Sequence, residues 1–208
     1  MSLPSHGPAR AALAETLLPE GAARLISAVL LVVAGTMLLA IAAKIKVPFF
    51  PVPMTLQTLA VLAIAATFGS RLAVITVVAY LAQGLAGLPV FTNTPPAVAG
   101  PAYFMGPTGG FLIGFVVMAF IVGKAADLGW GRSFPKMLGA MVAGEVAMMA
   151  LGFAWLAWFA ALSSGGNGLG VATALSAGVT PFLLGDALKI LLAAAAVPAV
   201  WRLLDRSA

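Results

Sequence analysis

From Leu25 onward the chain is a succession of long apolar runs, and most of its few charges lie at or between their ends. No other feature constrains the fold as strongly. A helix that crosses the bilayer core needs about 20 largely apolar residues, because a backbone in lipid has no water to satisfy its hydrogen bonds. Only 8% of the 208 residues are charged, eleven Lys or Arg and six Asp or Glu, while 62% are apolar. A soluble domain carries roughly 25% charge, so a soluble globule of this size would lack polar surface. That excludes an ordinary cytosolic enzyme, and excludes a disordered chain more firmly. The sequence reads as an all-α integral membrane protein, with the lipid bilayer as its surroundings.

The same scarcity removes several chemistries. There is no Cys, so no disulfide, thiolate metal site or Cys nucleophile is available. The single His is His6, in the polar leader, which leaves no His-based triad or haem ligand within the apolar runs. No Gly-x-x-x-x-Gly-Lys-Ser/Thr occurs, so this chain cannot energise a process through a P-loop. No metal and no cofactor are expected. The net charge of +5 is read as a topology signal rather than a nucleic-acid footprint.

Two regions follow. Residues 1–24 hold His6, Arg10, Glu15, Glu20 and Arg24 without a continuous apolar run, and read as a cytoplasmic leader with a short helix near residues 9–18. Residues 25–208 hold six runs: 25–43, about 55–68 (extending back to Val52), about 72–87, 110–126, 134–162 and 179–204. Gly69, Ser70 and Arg71 separate the second from the third. Pro181 suits a first helical turn, and Pro198 should kink the sixth run.

Basic residues then assign the sides. One side carries Arg10, Arg24, Arg71, Lys124, Arg132, Lys136, Arg202 and Arg206, the other only Lys44 and Lys46, with Lys189 inside a run. Positive residues favour cytoplasmic loops, so both termini are expected in the cytoplasm. On the other side, the connections 88–109 and 163–178 carry no charge at all. Phe91, Tyr103 and Phe104 interrupt the first of them, and two readings stand: a lid over a cavity, or a plain connector.

Three ionisable residues fall inside the runs: Glu145, Asp186 and Lys189. An intramembrane charge costs roughly 2.5–3.5 kcal/mol at mid-helix and marks a functional site by default. Asp186 and Lys189 are three apart, hence on one helix face, and a helix start at Val179 puts Asp186 about two turns in from the less basic side. A ligand clamp is the favoured reading; the alternative is a self-satisfied pair that aids insertion. Glu145 either faces the same cavity or bonds to a neighbouring helix. Gln57 and Thr58 either line a cavity or bond between helices.

Four blocks carry a resemblance. They are Pro51-Val52-Pro53-Met54-Thr55-Leu56-Gln57-Thr58-Leu59-Ala60, Gly87-Leu88-Pro89-Val90-Phe91, Gly106-Pro107-Thr108-Gly109-Gly110-Phe111-Leu112-Ile113-Gly114, and Pro181-Phe182-Leu183-Leu184-Gly185-Asp186-Ala187-Leu188-Lys189. In this order they are similar to the motifs of the BioY biotin transporter family. The resemblance implies a substrate-binding S component of an energy-coupling-factor vitamin transporter in a bacterial cytoplasmic membrane. It implies a six-helix bundle with the vitamin site near the outer face, and as partners a transmembrane T subunit and two ATPases. It puts ligand binding on Asp186 and Lys189. Asn93 is the nearest candidate for a polar ligand contact in the loop between the third and fourth spans, although the surrounding 92–96 lacks the Gly-rich run of the family. The first span offers Thr36-x-x-x-Ala40 where S components often carry Ala-x-x-x-Ala for docking. Glu145 stands where the family often has Asn. The candidate ligand-binding residues are thus Asp186, Lys189, Asn93, Gln57, Glu145 and Tyr103.

Biotin suits such a site. Its ureido ring offers two N–H donors and one carbonyl, and its thiophane ring and valeryl chain are apolar. Asp186 can accept from a ureido N–H, while Lys189 donates to the ureido carbonyl or neutralises Asp186. Two rivals stand beside this: an S component for riboflavin or thiamin, and a small intramembrane enzyme. The enzyme is disfavoured, since the basic side offers only Glu15, Glu20, Asp127 and Asp205, without Asp-x-x-Asp spacing.

Overall fold

The computed structural model describes residues 12–14, 21–162 and 165–207. Most of the expected leader helix near residues 9–18, with Glu15 and Glu20, lies outside these residues. Five long apolar helices make the bundle: α1 (Ala22–Lys44), α2 (Gln57–Leu85), α4 (Gly109–Asp127), α5 (Phe134–Ala154) and α7 (Leu183–Ser207). Two short helices, α3 (Pro101–Met105) and α6 (Val171–Gly178), lie in the connections between them. A single π turn, Trp155–Phe159, carries α5 further. α4 is the most enclosed of the five and packs on α2 and α5, whereas α1 leans chiefly on α2 and leaves most of its surface to the bilayer.

The second and third apolar runs are the two helical halves of α2, which meet directly at Gly69 with no loop between them. The helix is broken at Gly69, whose φ of 77° and ψ of 173° are not helical. The break is a reversal of direction. Gln57 Nε2 donates to the hydroxyl of Tyr80 at 2.8 Å, yet 23 residues of unbroken helix would separate the two by roughly 35 Å. The halves on either side of Gly69 therefore lie side by side. Glycine is required here twice: the backbone is in the region that side chains avoid, and a Cβ would strike the Asp127 carboxylate. That carboxylate, at the end of α4, accepts from the amide and the hydroxyl of Ser70. It thus caps the N-terminus of the second half from a neighbouring helix.

Three boundaries differ from the sequence reading. Val52–Thr55 is not helix: Met54–Thr55 (β2) pairs antiparallel with Lys46–Val47 (β1), with Lys46 opposite Thr55. Pro51 and Pro53 account for this, since proline disfavours helix both at its own position and at the one before. α7 starts at Leu183, not Val179, because residues 179–182 form a turn in which Phe182 N donates to Val179 O. Asp186 consequently sits in the first turn of α7 rather than two turns in. Finally, part of the uncharged 163–178 connection is helical, as α6. α7 continues through Pro198 to Ser207.

The glycine-rich block at the start of α4 is explained by close approach. A Cβ at Gly110 would meet the Cβ of Trp155 and, at 2.7 Å, the carbonyl of Leu151. One at Gly114 would lie 2.8 Å from the Cα of Met148. Two helices can come this near only where one of them lacks side chains, and the approach brings Met148 beside Phe111 and Phe115 on a common cavity wall.

Candidate functional site

At the end of the bundle that bears Lys44 and Lys46 there is a cavity of about 520 Å³, its mouth included. Each long helix except α1 contributes to its wall. Most of that wall is apolar: Phe91, Phe111, Leu112, Phe115, Met148 and Phe182. Phe111 and Phe182 are stacked, ring centres 6.4 Å apart.

Asp186 and Lys189 supply the charge. Lys189 Nζ donates to Asp186 Oδ1 at 2.8 Å, and the two residues are only 8% and 3% exposed respectively. The same ammonium donates to the backbone carbonyl of Thr55 at 2.7 Å, which ties α7 to the β ribbon. The first turn of α7 contributes as well: its unpaired amides favour a carboxylate there. Oδ2 of Asp186 takes no part in the ion pair. Buried charge of this kind is retained where it is paired, and here the pair lies on the wall of a cavity rather than within packed side chains.

Gln57 and Tyr103 also line the cavity, but their donors are engaged. Gln57 donates to Tyr80, whose hydroxyl donates on to Val90 O at 3.1 Å. Tyr103 donates to Thr92 O at 2.7 Å. Burial pushes the Tyr103 phenol up to about 12, so it stays protonated. The Gln57–Tyr80–Val90 chain ties the 88–109 connection to α2, while the Tyr103–Thr92 bond braces the connection internally, where Phe91 is buried. The Phe91 ring stacks on Tyr103 at 4.9 Å and meets Tyr80 edge-on at 5.5 Å. A Cβ at Gly84 would occupy the place of that ring. Lys44, the last residue of α1, donates to the carbonyls of Pro89 at 2.8 Å, Phe91 at 2.6 Å and Thr94. This connection forms the roof of the cavity, contributing Phe91, Thr92, Tyr103 and Thr108 to its wall.

Asn93 and Glu145 stand apart from the wall. Asn93 is exposed, its side-chain carbonyl accepts from Lys46, and its φ of 60° makes it a turn residue, a conformation that Asn tolerates. Its neighbour Thr92 lines the cavity instead, with a buried hydroxyl that has no partner among the described residues. Glu145 is buried behind Asp186 and does not line the cavity. Thr55 and Thr108 were not singled out by the sequence and are wall residues too. Nothing distinguishes such threonines from others until the loop's register is known.

The family model for the BioY family matches residues 14–206. The chain is 35% identical to "Biotin transporter BioY" of Thermotoga maritima, over 76% of this chain and 86% of that one. It is 34% identical to "Probable biotin transporter BioY" of Pyrococcus horikoshii, over 80% and 90% respectively. With "Biotin transporter BioY2" of Lactococcus lactis the identity is 31%, over 78% and 83%. In fold it is similar to the crystal structure of an S-component for biotin from an ECF-type ABC transporter. That match has a TM-score of 0.73 at 24% identity, covering 88% of this chain and 95% of that one.

Proposed function

Because this chain belongs to the BioY family, we propose that it takes up biotin, as the substrate-binding S component of an ECF-type transporter in a bacterial cytoplasmic membrane. The observation that carries the reading is the buried Asp186–Lys189 pair on an otherwise apolar cavity wall. Few polar groups on an apolar wall is the usual design of a small-molecule site. Asp186 Oδ2 accepts a ureido N–H, and Lys189 donates to the ureido carbonyl without releasing Asp186. The thiophane ring and the valeryl chain lie against Phe111, Phe115 and Phe182, and the Thr92 hydroxyl is a donor for the remaining polar end. Gln57 acts through Tyr80 by tying the roof to α2, and Tyr103 by bracing the roof from within.

In this reading the chain crosses the bilayer six times, the two halves of α2 each crossing once, with the cavity near the outer face and both termini in the cytoplasm. The distribution of Arg71, Lys124 and Arg132 against Lys44 and Lys46 supports this orientation. A cysteine introduced at residue 97 of this Cys-free chain should label from outside the cell, and one at residue 132 should not; the reverse pattern would refute the topology. Net pumping is supplied by a transmembrane T subunit and two ATPases.

Equilibrium binding of labelled biotin to purified protein in detergent tests the ligand. Saturable binding that unlabelled biotin displaces, and riboflavin and thiamin do not, is the expected result. Displacement by one of those vitamins but not by biotin would assign the site to another S-component ligand. The intramembrane-enzyme reading has no support among the relatives, whose names are those of transporters.

A further inference from the structure

Glu145 poses a problem of charge balance. It is 7% exposed, and neither carboxyl oxygen has a hydrogen-bond partner among the described residues. The charged groups that face it are Asp186 and Lys189, both from α7. α4 and the turn Trp130–Arg132, which also pack on α5, bring no charge to it: Arg132 is spent on Asp205, at 2.6 Å. Asp186 and Lys189 already neutralise each other.

The direction of approach is informative. An apolar crevice runs between α5 and α7, with Val142, Val146, Leu183 and Leu191 exposed along it. Glu145 lines this crevice and not the ligand cavity, whereas Asp186 and Met149 line both. Asp186 is therefore a partition, with the cavity on one side and Glu145 on the other. An ionised Glu145 would place an uncompensated charge against hydrocarbon, which acids within a membrane avoid by taking a partner or a proton.

We propose that Glu145 is a positioning residue: a proton-bearing acid that donates a hydrogen bond to the Asp186 carboxylate from the crevice side and so fixes its orientation toward the ligand. The role rests on the cavity being the biotin site. Lys189 restrains one oxygen of Asp186, and the Glu145 hydroxyl restrains the carboxylate from behind. The lone pairs that face the cavity stay available to a ureido N–H. Glu145 thus acts on the ligand only through Asp186.

Infrared difference spectroscopy of the purified protein tests the proton directly. The wild type is expected to show a protonated-carboxyl band that is lost in Glu145→Gln. Biotin titrations test the positioning. Glu145→Leu fills the space without a donor and should weaken binding about tenfold, the worth of one hydrogen bond to a charged group. Glu145→Gln, whose amide N–H replaces the acid's, should recover affinity to within about threefold of wild type. A wild type without the band overturns the proposal. So does Glu145→Leu with wild-type affinity, or Glu145→Gln as weak as Glu145→Leu. Should Glu145→Leu fail to fold, the band and the Glu145→Gln titration decide alone. A wild type that binds no biotin would refute the functional reading instead, while the band would still report the proton on Glu145.

Discussion

Asp186→Asn is expected to weaken biotin binding by roughly ten- to a hundredfold, because a hydrogen bond to a charged group is worth about 1.5–3 kcal/mol and a factor of ten is about 1.4 kcal/mol. The substitution keeps the shape of the side chain. It removes the charge that Lys189 faces at 2.8 Å, and it turns one acceptor oxygen into a donor. The ureido N–H then meets an N–H. Biotin titration of the purified variant measures the loss, and unchanged affinity would end the clamp reading of this pair.

Lys189→Met should cost at least as much affinity and also lower the melting temperature. Lys189 donates to Thr55 O as well as to Asp186, so its removal strips the β ribbon of its link to α7. It also leaves Asp186 unpaired within the bilayer, and breaking a buried pair by removing one partner is the costly case. The double substitution Asp186→Asn with Lys189→Met should therefore lose less than the two singles together, since no unpaired charge remains. A purely structural pair forecasts something different: lower melting temperatures in the singles with the affinity of the folded fraction untouched. Affinity and melting temperature of the three variants separate the two.

The helices were legible because lipid makes hydrophobic length a direct signal, and α1, α4 and α5 begin within three residues of where their apolar runs begin. The pairing of Asp186 with Lys189 was legible for a similar reason, since a three-residue spacing on a helix leaves little choice of face. What failed was local and backbone-driven. The start of α7 moved because Pro181 sits in a turn rather than in a first helical turn, and periodicity says little about such a shift. α6 is hidden in the sequence because the uncharged 163–178 connection that holds it is rich in glycine and serine and reads as loop throughout. Asn93 is the polar candidate that the resemblance offers in this loop, but a one-residue register in an irregular loop decides which side chain faces inward, and that is Thr92. Glu145 has two readings in the sequence because its side depends on how α5 and α7 are rotated against each other; it is on the far side of Asp186 from the cavity.

Lys44 gives α1 a role that its slight contribution to the core would not suggest. Its ammonium gathers three carbonyls of the cavity roof, while the rest of α1 presents Ile26, Leu30, Val33 and Met37 outward. The one long helix with a largely free surface is thus fastened at its tip to the strap over the cavity. A force that tilts or slides α1 in the plane of the bilayer is transmitted to that strap through Lys44, and through Lys46 just beyond it, which bonds to Asn93. For the roof to lift, α1 must move with it or the Lys44 ammonium must let go of its three carbonyls.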